Sequence, residues 1–263
     1  VTGDDGTAVF EQDLPFGSYY IKELQAPDGF VSSDEIIEVT VSYQGQDVEV
    51  VRLKEIFKNQ PTTVEFTKSD LTTGVELDGA TLTVLDKDGD EIDKWTSVKG
   101  EPHIIKRLHV GETYTLREEF APYGYLKAEE VEFTITDTAE IQKVEMKDDV
   151  PIGRIIINKK GEFLSEVTWN EMVAGAMDSI WDYVTGSLKD VTFEIYARED
   201  VKAADGESDD YYKKDELVAT ITTDELGFAR SDDLPLGKYY VVEKETANGF
   251  VLDGEPRDID LTY

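Results

Sequence analysis

The chain has 263 residues, 40% of them hydrophobic and 32% charged, and its 58 acidic against 26 basic side chains leave a formal net charge of −32. That charge excludes a phosphate-reading nucleic-acid surface and disfavours an anionic membrane surface, while the lack of cysteine removes disulfides and thiolate metal sites. The 13 Tyr, 11 Phe and 3 Trp supply apolar area for real cores, so the acidity belongs to folded domains, two or three by length, and not to a disordered tail. No apolar run approaches the roughly 20 residues of a membrane span. His103 and His109 are too few for a His-based metal site or a hydrolytic triad. The sequence starts at Val1 without a signal-peptide pattern and reads as an internal piece of something longer.

Taken in chain order, one pattern appears three times: LPFGSYYIKELQAPDGFV at 14–31, LHVGETYTLREEFAPYGYL at 108–126 and LPLGKYYVVEKETANGFV at 234–251. Each runs Leu, Gly, Tyr, then a Glu four steps on, then a turn ending in Gly-aromatic. The shared glutamates Glu23, Glu118 and Glu243 are spaced by 95 and 125 residues. A second landmark opens two of the units, VEFTKSD at 64–70 and IIINKKG at 155–161, with Lys68 and Lys159 separated by 91. Repetition at this period marks copies of one structural unit. The division it predicts is 1–59 (the later part of a first repeat, its opening strands missing), 60–149 (a complete second repeat) and 150–263 (a third repeat missing its last strand).

Within a unit the apolar period is two. VEFTK, YTLRE and VEFTITD alternate, LTVLD and FEIYA follow suit, and Asp5-Gly6, Asp28-Gly29, Asp88-Gly89 and Asn248-Gly249 mark turns between them. Short strands with frequent turns predict an all-β chain of tandem antiparallel sandwiches, immunoglobulin-like or transthyretin-like. The third copy carries about 30 extra residues by the same ruler. Most lie between Lys159 and Leu188, where Thr168 and Glu171 form a capping-box pattern and Trp169, Met172, Val173, Ala176, Ile180 and Val184 mark one face; this predicts a helix over about 162–187. The remainder, 203–216, reads as a polar hairpin loop.

The alternation also assigns faces to charged residues. Lys68 shares a face with Val64 and Phe66, and Lys159 with Ile155 and Ile157. Glu118 follows Tyr114 and Leu116, Glu23 follows Tyr19 and Ile21, and Glu243 follows Tyr239 and Val241. Asp148 follows Val144 and Met146, and Asn59 follows Phe57. An unpaired buried charge is prohibitively costly, so one Lys, one Glu and one Asp or Asn per unit are expected to meet. Two readings stand open on these grounds. One is a buried salt bridge with a hydrogen-bonded third member. The other is a spontaneous amide between the lysine amine and the Asp/Asn side-chain carbonyl, since burial favours the neutral amine and the neutral acid, and fixed proximity supplies rate.

The lysine strand, the Y-x-x-x-E…A-P-x-G-Y/F stretch (Ala26 to Phe30, Ala121 to Tyr125) and the Asn or Asp before the next linker resemble Cna B-type, or SpaA-type, prealbumin-like repeats of Gram-positive surface adhesins and pilins. The resemblance covers essentially everything outside the insert. It implies non-enzymatic stalk or adhesin repeats, extracellular and cell-wall-attached or secreted, next to further repeats of the same longer protein, with a host or matrix protein or glycan as the partner class. It also implies an intramolecular isopeptide bond between Lys68 and Asp148 assisted by Glu118, with Asp149 as the register alternative. Glu23 with Asn59, and Lys159 with Glu243, are then the parts present in the incomplete repeats. The chemistry is autocatalytic only, and no cofactor or metal is implied. Asp148 stands where Asn is commoner in that family, and the third copy has A-N-G-F after an extra residue.

DKDGDEID at 86–93 has the look of a calcium loop, but Glu91 stands where such a loop needs Gly, and strands flank it; a hairpin turn is expected. No phosphate loop, nucleophile elbow or metal triad occurs. The competing function class is a carbohydrate-binding accessory module of a secreted multidomain protein, which exposed Trp or Tyr on one sandwich face would favour.

Overall fold

Period-two alternation of β-branched and aromatic residues with polar ones builds the chain almost wholly from antiparallel strands, because such a stretch buries one side of a pleated sheet and wets the other. The computed structural model describes residues 1–171 and 177–262. The strands, in order, are β1 (Gly17–Lys22), β2 (Ile36–Val41), β3 (Thr63–Asp70), β4 (Thr81–Leu85), β5 (Glu91–Thr96), β6 (His103–Lys106), β7 (Thr113–Phe120), β8 (Val131–Thr134), β9 (Gln142–Asp148), β10 (Ile152–Gly153), β11 (Ile156–Asn158), β12 (Lys160–Glu171), β13 (Met177–Ser187), β14 (Thr192–Ala197), β15 (Leu217–Thr222), β16 (Phe228–Arg230), β17 (Leu234–Pro235), β18 (Gly237–Glu245) and β19 (Arg257–Leu261). They fall into two units. The first comprises Val1–Lys68, Thr81–Glu119 and Glu129–Met146, and the second Ser69–Ala80, Phe120–Ala128 and Lys147–Tyr263.

In the first unit β1 and β2 form a hairpin in register from Gly17↔Val41 to Lys22↔Ile36. The remaining strands make two sheets, ordered β6-β3-β9 and β5-β4-β7-β8. Phe66 of β3 packs across to Trp95 of β5 and Phe133 of β8, at 5.4 and 5.3 Å between ring centroids. Val64, Leu82, Val84, Leu116 and Met146 complete a dry interior. Each such side chain contributes about 1.5–3 kcal/mol by leaving water. The β4–β5 connection is a tight hairpin turn in which Asp86 Oδ1 accepts the amides of Asp88 and Asp90 and Gly89 supplies φ +87.

In the second unit the main sheet runs β15-β14-β18-β19, with β10-β17 and β11-β16 as short pairs. Its core gathers Ile155, Val191, Ile195, Ala197, Tyr239 and Val241.

The insert corrects the helix expectation over 162–187. Its described residues form a long hairpin of β12 with β13, paired from Lys160↔Ser187 to Glu171↔Met177 with a bulge at Ser165. Among the described residues there is no helix. Met172, Val173 and Ala176 of the expected apolar stripe lie outside the described residues. The physical reason is cross-strand pairing. Phe163↔Val184, Leu164↔Tyr183 and Val167↔Trp181 put bulky and β-branched partners opposite each other, which the capping box at Thr168 does not outweigh. At its base, Phe163 meets Phe250 edge-on at 5.3 Å.

Candidate functional site

The strand that carries each shared glutamate is tied down at its start by the tyrosine of the repeat. Tyr19 donates its hydroxyl to the Pro15 carbonyl and Tyr239 to that of Pro235, each at 2.7 Å. The Tyr114 hydroxyl instead accepts the His109 amide at 3.1 Å. Burial pushes the Tyr114 and Tyr239 hydroxyls above the ordinary phenol range, so both stay donors. Four residues beyond each tyrosine stands Glu23, Glu118 or Glu243, on the same strand face for the latter two.

In the second repeat, Lys68 Nζ lies 3.0 Å from Glu118 Oε1, and neither side chain is exposed at all. Lys68 sits on the inward face of β3 beside Val64 and Phe66, and Glu118 on that of β7 beside Tyr114 and Leu116. Asp148 ends β9, the sheet neighbour of β3, on the inward face with Val144 and Met146 and is 1% exposed. Asp149 is exposed; its carbonyl accepts the Leu126 amide and its Oδ1 the Val150 amide.

The other two clusters are pairs. In the third repeat Lys159 Nζ donates to Glu243 Oε2 at 2.6 Å, with side chains 22% and 2% exposed. Glu243 Oε1 is buried and has no hydrogen-bond partner among the described residues. In the first repeat Asn59 Nδ2 donates to both oxygens of Glu23, at 2.9 and 2.7 Å, and to the Val31 carbonyl at 3.1 Å. The Ser33 amide also donates to Glu23. A lysine amine held against a carboxyl group in a dry core can pass it a proton, and the neutral amine is then a nucleophile for a carbonyl placed beside it.

One buried polar pair escapes the face analysis. Tyr125, the aromatic of the second A-P-x-G turn, donates its hydroxyl to Asp70 Oδ2 at 2.8 Å, while Asp70 Oδ1 accepts the amides of Thr72 and Thr73. Tyr125 lies in a turn where no periodicity assigns a face, whereas Asp70 ends β3 two residues past Lys68, so the alternation that places Lys68 inward also points to Asp70. No cluster of three or more metal-ligating side chains occurs among the described residues.

The profile of the SpaA prealbumin-like fold domain matches residues 1–55, 62–150 and 181–262. Among solved structures, the chain is similar to the Bacillus anthracis TIE protein at 26% identity and a TM-score of 0.51, covering 99% of this chain and 42% of that one, so it spans about two fifths of that relative's length. It also aligns with a Streptococcal ancillary pilin (15% identity, TM-score 0.32, 95% of this chain and 72% of that one). A third alignment is with BcpA, the major pilin subunit of Bacillus cereus (13%, 0.32, 76% and 95%). No curated protein matches. Since the profile recurs three times and takes in most of the sequence, the chain belongs to the SpaA prealbumin-like fold domain family.

Proposed function

We propose that the chain is a run of non-enzymatic stalk repeats of a Gram-positive cell-surface protein, and that its complete repeat closes an isopeptide bond between Lys68 and Asp148. The observation that carries this reading is the Lys68–Glu118 pair, both side chains wholly enclosed. A buried ion pair is a poor way to gain stability, because desolvation offsets the attraction. As a reaction site the same pair has a use. Lys68 Nζ gives a proton to Glu118 and attacks Cγ of Asp148, which reacts as the acid. The protonated Glu118 polarises the carbonyl oxygen and relays protons, and the Asp148 hydroxyl leaves as water. One C–N bond forms, one C–O bond breaks, and no co-reactant is needed. Asp148 is favoured over Asp149 as acceptor by its burial beside Met146.

Family membership supports an extracellular setting, wall-attached or secreted, with further repeats of a longer protein as neighbours and a host or matrix protein or glycan as the target of the whole. The carbohydrate-binding alternative draws support from one feature. Leu164, Trp181 and Tyr183 are about half exposed on one face of the β12–β13 hairpin, the kind of aromatic surface on which sugar rings stack.

Intact mass spectrometry tests the bond. The wild-type chain is expected to weigh one water less than its sequence, and Lys68→Ala and Glu118→Gln to weigh their full sequence masses. Loss of a crosslink spanning residues 68 to 148 is expected to cost about 4–5 kcal/mol on the loop-entropy scale. A wild-type chain at full mass overturns the proposal and leaves a buried ion pair.

A further inference from the structure

The A-P-x-G-aromatic turns hold more than their own strands. In the first, the Phe30 amide donates to the Pro27 carbonyl and closes the turn, and the Val31 amide then donates to the Gln60 carbonyl at 2.8 Å, one residue past Asn59. Thr62, two residues further and fully buried, is held on both sides. Its amide donates to the Gly29 carbonyl at 3.1 Å, its hydroxyl donates to the Leu108 carbonyl at 2.6 Å, and its own carbonyl accepts the Arg107 amide at 3.0 Å. The Arg107 guanidinium lies 5.0 Å from the centre of the Phe30 ring. The Ser32 amide donates to Asp137 Oδ1 at 2.9 Å. Thus the turn of the first repeat and the linker after it are bonded to the β6–β7 connection of the second repeat and to Asp137.

The fit is close enough to dictate the glycine. Gly29 has φ +79, and a Cβ there would fall 2.5 Å from the Arg107 carbonyl oxygen and 2.9 Å from Arg107 Cα. Arg107 itself adopts φ +67, a conformation an arginine takes only where its surroundings hold it. The second turn holds its own linker in the same way, and the following repeat approaches it. The Leu126 amide donates to the Asp149 carbonyl at 2.8 Å, one residue past Asp148. A Cβ on Gly124 would meet the Ala204 methyl at 3.4 Å, and the Thr73 hydroxyl donates to Asp205 at 3.3 Å. In the third turn Phe250 packs against Phe163 of the hairpin base instead, where a Cβ on Gly161 would lie 2.4 Å from its ring.

We infer that the A-P-x-G-aromatic turn is the joint between consecutive repeats: it pins the linker of its own repeat to the next repeat, and the insert of the third repeat takes over that docking surface. Neighbouring domains move independently by default when only a short polar linker joins them. Here Pro61 limits the backbone, and the buried Thr62 binds the turn on one side and the following repeat on the other. The partner that the turn fits is a second repeat presenting a left-handed Arg-type corner and an aspartate, not a foreign ligand.

The test is nitrogen-15 relaxation and amide exchange on the full chain. In the wild type, amides of β1 and β2 are expected to share one tumbling time with those of β4, β5, β6 and β8. Gly29→Ala is compared with Gly6→Ala, whose φ of +72 is similar but whose added Cβ meets nothing within 4 Å. Gly29→Ala is expected to speed exchange at Val31, Thr62 and Arg107 at least ten-fold and to split the tumbling times, while β4 and β8 keep their protection. If Gly29→Ala unfolds the first repeat, Thr62→Val, which replaces only the hydroxyl with a methyl group, reads the same amides. Separate tumbling times in the wild type, or equal exchange in the Gly29, Thr62 and Gly6 variants, would overturn the joint.

Discussion

Asp70 and Glu118 are both carboxyl groups in the same repeat, both nearly sealed from water, and their surroundings give them different work. Asp70 is saturated by the Tyr125 hydroxyl and two backbone amides, so it has a fixed structural task. Glu118 faces a lysine amine. Burial, and then the hydrogen bond to Asp70, push the Tyr125 hydroxyl far above the phenol range. The folded-state value therefore exceeds the unfolded value of about 10, and the stability this pair contributes is complete below about pH 10 and lost as pH rises beyond it. Tyr125→Phe is expected to cost about 1–3 kcal/mol at pH 7 by leaving Asp70 Oδ2 buried without its donor. Part of the alkaline decline is expected to disappear with it. Denaturant titrations at pH 7 and 10.5 check both; parallel pH dependence in the two proteins would contradict the assignment. Lys68 and Glu118 could be read from the sequence because a two-residue period places each beside apolar neighbours. The same period reaches Asp70, two residues past Lys68 in β3, but its partner Tyr125 sits in a turn that carries no such period, so the pairing itself was not legible.

Strands β3, β7 and β9 were legible for the same reason, and the glutamates became comparable because a tyrosine anchors the start of β1, β7 and β18 alike. The β12–β13 element shows where that reasoning fails. Trp169, Ile180 and Val184 sit at helical spacing, and a capping-box pattern favours the helix locally. Cross-strand partners 14 to 21 residues apart decide the matter, and no local window contains them. Nuclear Overhauser contacts are expected between Leu164 and Tyr183 and between Val167 and Trp181. Contacts three residues apart along 160–168 would contradict the hairpin. The glycines at its base are equally specific: Gly161 leaves room for the Phe250 ring, a restriction visible only once the turn of the third repeat is placed.

At the scale of the whole molecule, 58 acidic groups face 26 basic ones, so most surface carboxylates exceed any one-to-one pairing and act as a solvated, self-repelling coat. Surface ion pairs such as Arg198–Asp258 at 2.7 Å add little against that background. A crosslink inside the second repeat, set one residue before the carbonyl that its turn holds, would add stability at the point where the chain leaves that repeat. The repeats themselves were plain in the sequence because Leu and Gly recur three apart and Tyr and Glu four apart in every copy. The contacts between successive copies were not, since Thr62 and Arg107 belong to no repeated pattern. The Lys68–Asp148 bond is read out by digestion of the unmodified chain followed by tandem mass spectrometry. A branched species is expected, in which the peptide bearing Lys68 is joined to the peptide bearing Asp148, one water lighter than the two combined. Linear Lys68 and Asp148 peptides at full mass would contradict it.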